Sequence, residues 1–163
     1  MQRKDSSRIA FCDYDPENPQ HREHFGALNR EWLTRYFFVE PQDEAAFADP
    51  ESTVLDGGGV ILMALCDGVI VGTGSLLRHR DGTCEIAKMA VTEAAQGSGI
   101  GSELLALLMD RARDMGAAKL FIVSNTALQR AIRLYRRHGF VDSSENRHGH
   151  YARGNITLEY TML

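Results

Sequence analysis

Two Asp-Gly pairs constrain this chain more than any other feature. Asp67-Gly68 separates the apolar run Val60–Cys66 from Val69–Leu77, and Asp81-Gly82 separates that second run from Thr83–Val91. Both residues of such a pair tolerate positive φ, which a two-residue turn between right-twisted strands requires. Three strands in an antiparallel meander follow. After Val91 the pattern changes. Ile100, Leu104, Leu108, Ala112 and Met115 recur at helical spacing, and Gly116 can end that helix in left-handed geometry. Lys119–Val123 then reads as a short buried strand, Ala127–His138 as a helix closed by Gly139, and Ile156–Leu163 as an alternating final strand. A strand–helix–strand unit joined to a meander predicts an α/β fold built on a mixed sheet, with helices on both faces.

Upstream, Arg8–Tyr14 reads as a first strand, and Pro16 and Pro19 interrupt the chain. Gln20–Phe37 reads as an amphipathic helix whose apolar stripe is Phe25, Leu28, Trp32 and Tyr36, with His21 and His24 on the solvated face. Pro41–Asp49 reads as a short helix with proline in its first turn. At 163 residues, without repeat or linker, residues 1–163 are expected to form one domain.

Charge and cysteine content remove several function classes. A net charge of −4 gives no electrostatic footprint for nucleic acid. No apolar run reaches the ~18 residues of a membrane span. The start, Met1–Phe11, carries charge but no apolar segment of the secretory type. Cys12, Cys66 and Cys84 are odd in number and irregularly spaced, so they read as buried free thiols in a reducing cytoplasm.

The stretch Ala90–Met109, AVTEAAQGSGIGSELLALLM, carries the chemistry. A turn this rich in glycine lets backbone approach a ligand closely. Its N–H groups then meet the positive end of a helix dipole, which suits a diphosphate; an ordinary tight turn is the plain alternative. The Walker phosphate loop is excluded, because Ser102 and Glu103 follow Gly101 where a Lys and a Ser or Thr are needed. A Rossmann fingerprint is excluded too, because no acid lies near Lys119–Phe121 to take a ribose.

Gln96-Gly97-Ser98-Gly99-Ile100-Gly101 has the form Q-x-x-G-x-G, follows EIAKMAV and opens a long helix. Further on, Ser124–Phe140 places an Asn just after a strand and a Tyr shortly before Gly-Phe. Together, over Thr83–Phe140, these segments resemble the GNAT superfamily of N-acetyltransferases, and the meander and terminal strand fit its topology. The resemblance implies splayed parallel strands, acetyl-CoA as co-substrate, and direct transfer of an acetyl group to an amine in a ternary complex. It implies that Met89, Ala90 and Val91 line the pantetheine arm and that Gln96, Gly97, Ser98, Gly99, Ile100, Gly101 and Ser102 hold the diphosphate. Asn125 would contact the pantetheine or orient a neighbouring loop, with a helix N-cap role compatible with either.

By the same resemblance Tyr135 protonates the departing thiolate, a task within reach of a phenol; a buried core tyrosine is the alternative. Glu85 is the candidate base for the incoming amine, against a strand glutamate in a surface ion pair. Strand alternation puts Glu85, Ala87, Met89 and Val91 on one face and turns Lys88 the other way, toward a carboxylate or water. The acceptor, a small-molecule or peptide amine, is expected between Gln20–Asp49 and about Ser143–Gly154, where Glu31, Arg35, Glu40, Arg147 and Arg153 offer charges and Trp32–Phe38 offers aromatic rings. The resemblance also points to a homodimer. His148 and His150 lack the companions a metal site needs, and no metal is expected. No Ser-His-Asp or Cys-His nucleophile set is visible. The competing class is a non-catalytic acyl-CoA-binding sensor or partner module of the same fold, against which the joint presence of Tyr135 and Glu85 argues.

Overall fold

The structure is a computed structural model that describes residues 7–149 and 151–162. The expectation for Met1–Ser6 and the reading of His150 therefore lie outside the described residues. The chain runs β1 (Ile9–Asp13), α1 (Pro19–Tyr36), α2 (Pro41–Ala48), a helical turn at Glu51–Leu55, then β2 (Val60–Cys66), β3 (Val69–Arg78) and β4 (Thr83–Val91). It continues through α3 (Ile100–Asp114), β5 (Lys119–Ser124), α4 (Gln129–Arg137), β6 (Val141–Asp142) and β7 (Ile156–Thr161). One seven-stranded sheet has the order β1-β2-β3-β4-β5-β7-β6. Among the described residues its one parallel pair is β4 with β5, as the crossover through α3 demands.

Both faces of the sheet are covered, which is why β2 reads as an unbroken apolar run. Ile61 and Met63 join Phe25, Leu33 and Phe47 under α1 and α2. Leu62 and Ala64 point the other way and pack with Leu104, Leu105 and Leu108 of α3. Edge strand β1 lies beyond this cover on one side. Ile9 and Phe11 pack toward the α3 core, whereas Cys12 is exposed and Cys66 half-buried. Only Cys84 is the buried thiol expected of all three.

The expected face of α1 also needs correction at both ends. His21 is buried, because its Nδ1 accepts the Asp15 N–H at 2.9 Å and its ring lies against Tyr14. Tyr36, at the other end of the apolar stripe, is 56% exposed. The stripe runs out of the core into a cleft.

The feature that shapes the site is an irregularity in β4. Thr73 pairs with Ala90 and Ser75 with Ala87, so Lys88 and Met89 together oppose Gly74. This is a β-bulge, with Lys88 at φ 53°. Gly74 leaves the space it needs: a Cβ there would stand 2.9 Å from Leu108 Cδ1 and 3.2 Å from Met89 Cγ. Because of the extra residue, the expected single face of Glu85, Ala87, Met89 and Val91 does not exist. Met89 and Val91 pack against the α3 core together with Cys84 and Ile86, while Glu85 faces away from it. The bulge is anchored from α1, where fully buried Asn29 donates from Nδ2 to the Lys88 carbonyl (3.2 Å) and to Phe25 O (2.9 Å). The Lys88 carbonyl thus has a donor from outside the sheet.

Candidate active site

β4 and β5 pair only from Thr83–Glu85 to Lys119–Phe121, after which they separate. A cleft of about 730 Å³ opens at the split. Its lining joins the α1 side of the sheet (Trp32, Glu85, Lys88) to the α3 side (the glycine turn, α4 and Tyr135). Every residue expected to contact the cofactor lines it except Ser98, whose Oγ instead donates to Ala95 O at 2.6 Å.

The glycine turn leaves a run of backbone donors unused. Gly97 and Gly99 have φ of 82° and 87°, values that favour glycine. Gln96 N–H is used by Glu93 O, and the next backbone donor in use is Glu103, bonded to Gly99 O at 3.0 Å. Among the described residues, the N–H groups from Gly97 to Ser102 between them donate to no protein acceptor. All of these residues but Ser98 line the cleft, at the positive end of the fifteen-residue α3. Arg130, Arg133 and Arg137 of α4 line the same part of the cleft. Their i, i+3, i+7 spacing is a sign of a basic helix face that the sequence offers. The neighbouring Arg136 pairs with Asp142, and His138 Nε2 meets Ser102 Oγ at 2.8 Å.

Asn125 lies one turn ahead of α4 and does not cap it. Its Oδ1 accepts the Ala127 N–H at 2.8 Å, and its Nδ2 donates to Arg153 O at 2.7 Å, so it positions the loop before β7. Tyr135 sits on the buried face of α4 against Phe140. Its hydroxyl makes no hydrogen bond to the described protein, yet among the described residues no buried side-chain polar atom is left unpartnered. The phenol oxygen therefore opens into the cleft that the residue lines. Burial pushes its pKa up to about 12, so the proton is present at every physiological pH.

Glu85 is buried and lines the cleft, and its Oε1 lies 3.0 Å from His79 Nε2. Sequence reading missed His79, which is six residues away across the β3–β4 turn. Its pKa is raised, first by the hydrogen bond with Glu85 and against the cost of burial; Asp81 raises it further and Arg147 opposes. Lys88 is not directed to water as one alternative had it. Its ammonium pairs with the fully buried Asp43 and lies 4.9 Å above the Tyr151 ring. Arg153 reaches the same carboxylate at 2.6 and 2.8 Å and Glu40 at 2.7 Å. Arg147 is committed to Asp81 at 2.9 Å, Arg35 to Glu93 at 2.8 Å, and Glu31 accepts from Thr92 at 2.9 Å. The charges expected to read the acceptor are thus largely paired within the protein.

A mixed sheet split beside unpaired loop amides, with a phenol and a carboxylate lining the split, defines an acyl-CoA-dependent N-acyltransferase. Residues 27–140 match the model of the acetyltransferase (GNAT) family. An uncharacterized N-acetyltransferase of Mycobacterium tuberculosis is 31% identical over 109 residues, covering 63% of this chain and 70% of that protein. An acetyltransferase structure from Streptococcus agalactiae superposes with a TM-score of 0.83 at 17% identity, covering 94% of this chain and 98% of the other. A structure of yncA, a putative acetyltransferase from Salmonella typhimurium solved with acetyl-CoA, gives 0.72 at 20% identity, covering 96% and 94%. The chain belongs to the acetyltransferase (GNAT) family.

Proposed function

We propose that this chain transfers acetyl from acetyl-CoA to a primary amine, with Tyr135 as general acid and Glu85 as general base. The observation that carries this reading is the unpartnered Tyr135 phenol lining the same cleft as Glu85, at the split of β4 and β5. The free amides of Gly97–Ser102 and the guanidinium row of α4 fit a diphosphate and a further phosphate. The widened β4–β5 gap suits an extended arm. The amine nitrogen forms the new C–N bond as the thioester C–S bond breaks. Tyr135 O–H gives its proton to the departing sulfur, and Glu85 collects the proton lost by the amine. His79, half-exposed behind Glu85, offers that proton a way to solvent. Three unpaired cysteines suit a reducing compartment, and we place the reaction in the cytoplasm.

Binding is tested by melting. Acetyl-CoA at about 100 times its dissociation constant should add ~2.7 kcal/mol. For a chain of this length that is a rise of roughly 5–10 °C. An unchanged melting temperature overturns the loop assignment. Transfer is tested by acetyl-CoA-dependent thiol release across amino acids, polyamines, aminoglycosides, peptides and simple amines, and silence across the whole panel overturns the reaction.

The Glu85–His79 pair predicts a pH signature. His79 has a folded pKa above its unfolded value near 6.5, so the pair's stabilisation is complete below that pH and fades as pH rises through the folded value. Over the same window the His79 imidazole gives up its proton and becomes able to take one from Glu85. The wild type should gain a few-fold in kcat/KM across it. His79→Gln, which keeps a hydrogen bond but cannot titrate, should lose that step with the same amine. Superimposable profiles remove His79 from the proton path.

A further inference from the structure

From the acceptor end of the cleft, and resting on the acetyl transfer proposed above, we infer that the amine is carried on an aromatic body without a carboxylate or a second ammonium. Three side chains of α1 and its exit, Trp32, Tyr36 and Phe37, line the cleft on the Glu85 side, and Tyr151 lines it from the loop before β7. The Trp32 and Phe37 rings already stand edge to face, 6.3 Å apart at 89°. Trp32 Nε1 is held by Asn29 Oδ1 at 3.3 Å, so the indole is fixed by the same residue that anchors the bulge. Tyr36 and its neighbour Phe38 are 56% and 60% exposed, large apolar groups that the fold leaves uncovered beside the cleft.

The charged groups on this side point the same way by their pairing. Lys88 and Arg153 are two half-buried cations bonded to two buried carboxylates, Asp43 and Glu40. Their charges cancel. No guanidinium remains among the described cleft residues of this side to take an acceptor carboxylate, and no acid other than Glu85 to take a second ammonium. The arginines of α4 belong to the opposite side, with the glycine turn. What is left for recognition is ring surface. The Tyr151 ring has cations on it already, with Arg153 at 4.6 Å, so its π-density is engaged. The same guanidinium lies farther from the Trp32 ring, at 5.9 Å, so Phe37 and the more weakly engaged indole offer the edge and face contacts for another ring.

The test compares acetyl-CoA-dependent thiol release with 2-phenylethylamine, tryptamine, ethylamine, phenylalanine and spermidine. Burying one ring should raise kcat/KM for the two arylalkylamines on the order of 10–100-fold over ethylamine, and phenylalanine should fall below 2-phenylethylamine because its carboxylate finds no partner. Trp32→Ala should erase the preference by raising KM for arylalkylamines while KM for acetyl-CoA stays put. Tyr36→Ala, at an exposed position, should weaken it without altering the fold, and covers the case in which Trp32→Ala does not fold. Preference for spermidine or phenylalanine, an equal rate for ethylamine, or no turnover of any of the five overturns the inference. The acetyl-CoA melting shift separates the two levels: without it both readings fall, and with it only the acceptor assignment falls.

Discussion

Tyr135→Phe is expected to lower kcat by roughly 10²–10⁴-fold, the usual worth of a positioned proton donor. Acetyl-CoA affinity and melting temperature should stay as they are. The separation follows from the geometry. The hydroxyl has no protein partner whose loss would leave a buried group unsatisfied, and the ring keeps its contact with Phe140 at 6.3 Å. Nothing in the packing depends on the oxygen, so a fall in turnover reports the proton alone. A second readout distinguishes chemistry from a small displacement of the arm. A thiol of ordinary pKa, about 8.5, needs protonation less as pH rises past that value. The deficit of the variant should therefore narrow toward alkaline pH, whereas a displaced arm would cost the same at every pH. Turnover within threefold of wild type at neutral pH removes Tyr135 from the mechanism.

The parts of this site that sequence makes legible are local ones. The meander follows from two Asp-Gly pairs, although only Asp67-Gly68 is a two-residue turn with both φ positive; the β3–β4 link runs His79–Gly82, and of its last pair Gly82 alone has positive φ. The glycine turn is legible because its backbone requirement is met by residues within six positions, and Tyr135 because its helix, Gly139 and Phe140 are contiguous. The β4 bulge is not legible. It places a lysine, not a glycine, in left-handed geometry, and what supports it comes from Asn29 on α1 and Asp43 on α2, 59 and 45 residues away. Period-two alternation then assigns Met89 and Val91 to the wrong face. The acceptor end fails for a related reason. Arg153 and Glu40 look like substrate-reading charges when viewed singly, and only their meeting across 113 positions shows that they serve each other. Trp32 is ambiguous in sequence because the same helical stripe serves core at Phe25 and cleft beyond it.

Asp43→Ala is the substitution expected to cost most in stability. Asp43 closes the first turn of α2, where its Oδ2 accepts the Glu40 N–H at 2.9 Å, and it is also the carboxylate shared by Lys88 and Arg153. Burial opposes its charge, but Arg153, Lys88 and the Glu40 amide together hold its pKa down at about 2. For Lys88 the balance runs the other way: burial pulls its pKa down, and Asp43 is the main group resisting. Asp43 is therefore the charge that makes the cluster tolerable. Its removal strands one ammonium and takes away two of the Arg153 guanidinium's three carboxylate hydrogen bonds, a loss of about 3–5 kcal/mol. That corresponds to a fall of roughly 6–20 °C in melting temperature. Lys88→Met added to Asp43→Leu should recover much of it, since a buried pair replaced by apolar groups of similar size is often neutral. The pH dependence has a definite sign. Asp43 binds a proton more weakly when folded, so its contribution is present above its ordinary value near 3.8 and is lost as pH falls through about 2. Wild-type melting should drop through that acid window, and the variant should show a shallower drop. A loss under about 1 kcal/mol is what exposed pairs give, and would mean that Lys88 and Arg153 find water when the carboxylate goes. In that case the acceptor wall carries net positive charge, and amines bearing a carboxylate should become better substrates of the variant.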